Sequence, residues 1–183
     1  MEILIIDIET TGFLNGGGLI VEIGAASLNL ETGEIKEVYN SLCLEDNLKI
    51  NSEKYKNSWI FSNSDLKFED VLNARSFETI KSEIQQIINK FEGGCTAFNN
   101  AFDFGFLENR GIKFPKKLAC PMKLATNLCK LPSKYGYKWP NVEEAFNYFY
   151  PEIKYIEKHR GADDSKHEAM IVYELYKRKI FNI

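Results

Sequence analysis

Asp7 and Glu9 follow an apolar run, Ile3-Leu4-Ile5-Ile6, inside the hexapeptide Asp7-Ile8-Glu9-Thr10-Thr11-Gly12. Alternate side chains of a strand point to one face, so the two carboxylates share a face about 7 Å apart along the backbone. Acids so placed repel each other unless a positive charge lies between them, and hard cations such as Mg²⁺ bind through such oxygens. The plain alternative is a polar strand end entering a Thr-Thr-Gly turn. A second acid, Asp103, lies in Ala97-Phe98-Asn99-Asn100-Ala101-Phe102-Asp103-Phe104-Gly105-Phe106-Leu107. Phe102, Phe106 and Asn109 recur at helical spacing and put Asp103 in a first helical turn, where the macrodipole alone also favours an acid. The third cluster is His159-Arg160-Gly161-Ala162-Asp163-Asp164-Ser165. Asp163 or Asp164 could simply be the N-cap of the helix that follows. His167 falls on nearly the same helix face as Asp164 and is the other candidate ligand, read as a surface residue.

The elements that must position these groups follow from periodicity. Residues 1–7, 19–28 and 34–44 read as strands, the last two joined by a hairpin at Glu31-Thr32-Gly33. Residues 46–75 are polar and weakly patterned, a long connection with one short helix near 64–72. Phe77, Ile80, Ile84, Ile87, Ile88 and Phe91 keep helical spacing from about Ser76. A strand at 95–98, a helix at 101–109, a short strand near 117–120 and helices at 122–129, 141–149 and 164–180 complete the order. The last helix packs through Ser165, Ala169, Val172 and Tyr176. Antiparallel strands followed by alternating helices and strands predict an α/β fold, a mixed central sheet flanked by helices, as one domain over residues 1–183.

Hydrophobic residues at 44% and charged residues at 27% are ordinary for a globular chain. No apolar stretch approaches membrane-spanning length and no basic leader precedes the first strand, so no membrane partner is expected. Cys43, Cys95, Cys120 and Cys129 show no C-x-x-C pairing and read as reduced thiols of a cytoplasmic protein. The net charge of −3 hides an asymmetry, because residues 109–142 contain no acid but carry Arg110 and Lys113, Lys116, Lys117, Lys123, Lys130, Lys134 and Lys138. Interleaved with Phe114, Tyr135, Tyr137 and Trp139, that stretch suits phosphate contact plus base stacking; otherwise it is a solvated basic face.

Together the three acidic segments resemble the DEDD exonucleases, in the histidine branch. Asp7 to Gly12 matches the first motif, D-x-E-T-T-G; Asn99 to Leu107 resembles the second, with Asp103 as its acid; and His159 with Asp164 matches H-x4-D. The tyrosine branch would have Tyr where this chain has Arg160. Phe98, Gly161 and Ser165 depart from the family's usual His, Ala and Ala. The resemblance implies a ribonuclease H-like fold and a metal-dependent 3′–5′ exonuclease that releases nucleoside 5′-monophosphates from single-stranded or frayed ends, DNA slightly ahead of RNA. It implies two Mg²⁺ or Mn²⁺ ions roughly 4 Å apart, bridged by Asp7 and completed by Glu9, Asp103 and Asp164. His159 would be the general base, a role that suits an imidazole with its ordinary pKa of about 6.5. Substrate contacts fall at Thr10, Thr11, Gly12, Phe13, Asn99 and His159, although Phe13 could equally be a core residue. Partners would be nucleic acid with a free 3′ end and, by the same resemblance, a second copy or a polymerase. The competing readings are a catalytically inactive nucleic-acid-binding module on this fold and an internally cutting nuclease.

Overall fold

The computed structural model describes Met1 to Ile183. Strands β1 (Glu2–Thr10), β2 (Ile20–Asn29) and β3 (Ile35–Leu42) form an antiparallel meander. Four short helices follow: α1 (Asp46–Ile50), α2 (Ser52–Tyr55), α3 (Trp59–Asn63) and α4 (Phe68–Leu72). Next come α5 (Phe77–Lys90), β4 (Cys95–Thr96), α6 (Asn100–Asn109) and α7 (Pro121–Cys129). A small hairpin of β5 (Pro132–Ser133) and β6 (Gly136–Tyr137) leads to α8 (Val142–Phe149) and the long α9 (Gly161–Lys177). The main sheet has the order β3-β2-β1-β4, with β4 parallel to β1, which is the mixed α/β arrangement expected. The strand expected near residue 117 is reduced to one bridge between Cys95 and Lys117.

The central strand β1 feeds two cores through its pleat. Leu4, Ile6 and Ile8 pack with α5 and α6, whereas Ile3 and Ile5 pack with α7, α8 and α9. The face that carries Ile3 and Ile5 continues into Asp7 and Glu9, so strand periodicity aims both acids toward α9. A register shift between Glu9 and Thr10 ends the regular pairing with β2 at that point, as β-bulges near functional sites do.

Residues 46–75 hold the short helix expected near 64–72, as α4, and three more that were not expected. Their four helices are four or five residues long, too short to display a helical period. They are held by tertiary burial instead: Leu48, Tyr55, Ile60, Leu66 and Val71 close over Leu19 and Val21 as a third core.

The start of α9 also differs from expectation. Its N-cap is Arg160, and Asp163 and Asp164 both lie in the first turn. The Glu22 carboxylate of β2 supplies the missing cap by accepting from the Gly161 N–H at 3.2 Å, and it also pairs with the Arg160 guanidinium at 2.9 Å. This start lies directly on β2, opposite Asp7, whose register partner is Gly24. A Cβ at Gly24 would stand 1.9 Å from the Gly161 carbonyl carbon, and one at Gly161 would stand 2.7 Å from the Gly24 nitrogen. The departure from Ala at Gly161 thus has a steric reason: two glycines let a helix N-terminus touch a strand backbone. Gly24→Ala is expected to cost at least the about 1–3 kcal/mol of ordinary overpacking. It should also lower divalent-cation affinity, because Asp164 moves with the helix. Thermal unfolding and a Mn²⁺ titration of the folded variant check both.

Candidate active site

Asp7, Glu9, Asp103 and His159 line one small pocket, together with Asn99 on its exposed rim. Asp164 stands beside it, with one donor atom each from Glu9, His159 and Asp164 within 4.8 Å of one another. The structure therefore brings together all five groups singled out in the sequence. Three elements, β1, α6 and α9, and the segment ahead of α9 fix them. Asp7 and Glu9 end the pleated face of β1. Asp103 sits in the first turn of α6 and its Oδ1 accepts from the Ile8 N–H at 3.2 Å, tying the α6 start to the strand. Asp164 is held through both oxygens, by the Tyr155 hydroxyl at 2.6 Å and the Arg160 N–H at 2.8 Å. Burial, then the Asp164 carboxylate, push the Tyr155 phenol far up in pKa, so it stays a donor.

Electrostatically the pocket is overloaded. Burial raises the pKa of Asp7 well above the ordinary carboxylate range, and Glu168, Glu9, Asp103 and Asp164 raise it further. Glu9 is raised by burial and by Asp164, and Asp103 reaches about 7 through burial. No Lys or Arg lines the pocket. Asp7 Oδ2 is buried without a hydrogen-bond partner, an arrangement that costs free energy unless something fills it. The donor set is oxygen-rich with one imidazole, which suits Mg²⁺ or Mn²⁺. These residues fit divalent cations.

His159 sits in the irregular segment ahead of α9 with φ +54°, a sparsely populated region for a non-glycine residue. Its ring meets Trp59 edge-on, with centroids 4.8 Å apart, and its Nδ1 is 3.9 Å from Glu157 Oε1. A second cleft of about 490 Å³ adjoins the pocket through Ile8 and Glu9, walled by Thr10, Thr11, Gly12, Phe13, Trp59 and Phe102. Phe13 is 76% exposed, so it is a cleft wall and not a core residue. Thr11 is committed to the turn: its N–H donates to the Leu19 carbonyl and its hydroxyl accepts from the Leu19 N–H, both at 2.9 Å.

A family model described as RNase_T, exonuclease, matches residues 4–172. The chain belongs to this exonuclease family. Among solved structures, the exonuclease resembles the nuclease domain of 3′hExo, a DEDDh family member bound to rAMP, with TM-score 0.75 at 20% identity over 100% of this chain and 96% of that one. It also resembles a full-length 3′-exonuclease, with TM-score 0.71 at 19% identity over 99% of this chain, and cell-death related nuclease 4, with TM-score 0.71 at 16% identity over 97%. It spans 63% and 64% of those two longer chains. Comparison with curated proteins finds no match. The exonuclease thus has the ribonuclease H-like fold that its motifs implied.

Four residues of the exonuclease site went unnoticed in the sequence. Glu168 is buried beside Asp7 and Asp103, its Oε2 accepting from the Phe98 N–H at 3.1 Å, and burial raises its pKa strongly. Its signal was present, since it lies four residues after Asp164 on the same helix face. Glu157, raised to about 7 by burial and Asp164, also lines the pocket. Tyr155 and Trp59 carried no signal, because neither lies in a periodic segment. His167 is not a free surface residue: its ring stacks on Tyr155 with centroids 4.1 Å apart, and its Nδ1 lies 2.8 Å from the Asp163 carbonyl.

Proposed function

We propose that the chain is a 3′–5′ exonuclease that uses two Mg²⁺ or Mn²⁺ ions and releases nucleoside 5′-monophosphates from single-stranded or frayed ends, DNA slightly ahead of RNA. The observation that carries this reading is the convergence of Asp7, Glu9 and Asp103 on one pocket, with Asp164 beside it and Asp7 Oδ2 buried and unpartnered. Asp7, Glu9, Asp103 and Asp164 would hold the ions. Such ions, when bound, lower the pKa of water and neutralise charge developing on the scissile phosphate.

The chain's own groups do the rest. His159, at the pocket rim, takes the proton of the attacking water on a ring nitrogen. Trp59 packs edge-on against the ring and limits its rotation, and Glu157 lies 3.9 Å from Nδ1. The apolar cleft receives the terminal base, with Phe13 and Trp59 as stacking walls and Asn99 contacting the nucleotide from the adjoining acidic pocket. The 3′ polarity is supported by the exonuclease family and by the 3′-exonucleases among its structural relatives. We place the protein in the cytoplasm as a single domain over residues 1–183, on its cysteine pattern. The homodimer and polymerase expectations rest on the family resemblance alone. The solved relatives include a 3′-exonuclease that recognises the 3′ end of a histone mRNA stem-loop, so RNA belongs in the test. Matched 3′-tailed DNA and RNA strands incubated with Mg²⁺ or Mn²⁺ should both shorten, DNA somewhat faster. Strands that bind without shortening in either metal would instead establish the inactive-module reading.

A further inference from the structure

The basic stretch picked out in the sequence separates into two parts in the structure. Arg110 is tied to Glu45, Lys117 to Glu108 and Lys138 to Glu144. Lys123 and Lys134 are not ion-paired; they lie over aromatic rings, Lys123 5.8 Å from the Trp139 centroid and Lys134 5.2 Å from the Tyr135 centroid. The rings themselves stand in solvent, with Tyr135 85%, Tyr137 48% and Trp139 61% exposed. A folded chain gains nothing by holding three large rings in water, and such patches mark interaction sites.

One ion pair ties the exit of the hairpin to α8. Lys138 lies on one side and is clamped by Glu144, 2.5 Å away, which also closes the capping box of α8. Trp139, the next residue, instead carries Lys123 over its ring, and the Tyr137 ring stands half in solvent. The first residue of α8, Val142, is itself a wall of the acidic pocket. Three residues of chain reach at most about 11 Å, so Trp139 stands close beside the site.

We infer that β5, β6 and Trp139 form a stacking platform for the bases upstream of the cut, with Lys123 and Lys134 on the intervening phosphates. Planar rings next to unpaired lysines match a single strand in both base and charge, whereas an apolar protein surface would leave those lysines without partners. The inference rests on the exonuclease reading and extends the occupied strand beyond the terminal nucleotide.

The test separates the two. The unmodified protein should hydrolyse the 4-nitrophenyl ester of thymidine 5′-monophosphate, which reaches only the pocket; failure there, and on longer strands, sinks the exonuclease reading. Tyr135→Ala with Trp139→Ala should leave that hydrolysis unchanged. In a His159→Ala background, the same pair should weaken binding of a single strand about twelve nucleotides long by about 5- to 140-fold for each stacked base lost. Trp139→Phe should restore most of the affinity. Lys123→Ala with Lys134→Ala should flatten the slope of log K against log salt by about 0.7 for each phosphate contact removed. Unchanged strand affinity in the aromatic variant overturns the platform and assigns the rings to a protein partner. Equal loss on the small ester and the long strand also overturns it, because the hairpin would then only be supporting the pocket.

Discussion

Asp7→Asn is expected to reduce turnover to background while making the metal-free protein more stable at pH 8. Turnover is lost because Asp7 is the central acid of the pocket and carries its one buried unpartnered oxygen. The stability gain follows from linkage. Burial and neighbouring acids raise the folded-state pKa of Asp7, so the folded chain retains a proton that the unfolded chain releases near pH 4. For an acid raised in this direction, the stabilising contribution is complete below the unfolded value and is lost as pH climbs through the folded one. Glu9, Glu168 and Asp103, the last raised to about 7, act in the same direction. In chelator, the variant should therefore melt above the unmodified protein at pH 8, and the two should converge near pH 4. At this chain length each kcal/mol gained appears as a rise of about 2–4 °C. Saturating Mn²⁺ should reverse the order at pH 8, because only the unmodified protein recovers the binding free energy, about 2.7 kcal/mol at a hundredfold excess over Kd. A variant less stable than the unmodified protein in chelator at pH 8 would show that the acids are compensated within the chain.

The second large effect belongs to His159. His159→Ala should slow turnover by roughly 10²–10⁴-fold, the range of a lost general base, while Mn²⁺ affinity stays close to that of the unmodified protein. Its ring lies near enough to Glu9 and Asp164 to be a ligand, so calorimetric titration decides between the roles. If metal affinity collapses as far as activity does, His159 is a ligand and the proton acceptor lies elsewhere. His167→Ala should behave differently. It removes a ring stacked on Tyr155, which should cost about 0.5–1.5 kcal/mol beyond the lost contact area and lower activity only as far as Asp164 loses its support.

The site was readable because its chemistry sits on regular elements. Asp7 and Glu9 obey the two-residue period of a strand, and Asp103 and Asp164 sit in first helical turns. The long strands were legible as apolar runs of strand length, β1 and β2 being buried on both faces. What stayed hidden depends on contacts between segments distant in sequence. No local pattern announces that Gly24 and Gly161 touch, that Glu22 caps a helix more than a hundred residues later, or that Trp59 turns its edge to His159. Residues 46–75 form their one-turn helices only because Leu19 and Val21 offer a surface to pack on. The charge of the basic stretch was visible in the sequence, but which of its cations are free to meet phosphate depends on Glu45, Glu108 and Glu144, which lie outside it.

The most direct test uses one sequence in two forms: a linear single strand labelled at its 5′ end and a covalently closed circle, each incubated with Mg²⁺ and the products identified by mass. The linear strand should shorten from its 3′ end in one-nucleotide steps, giving only nucleoside 5′-monophosphates, while the circle stays intact. Opening of the circle, loss of the 5′ label as a mononucleotide at the outset, or products carrying a 3′-phosphate would contradict the assignment.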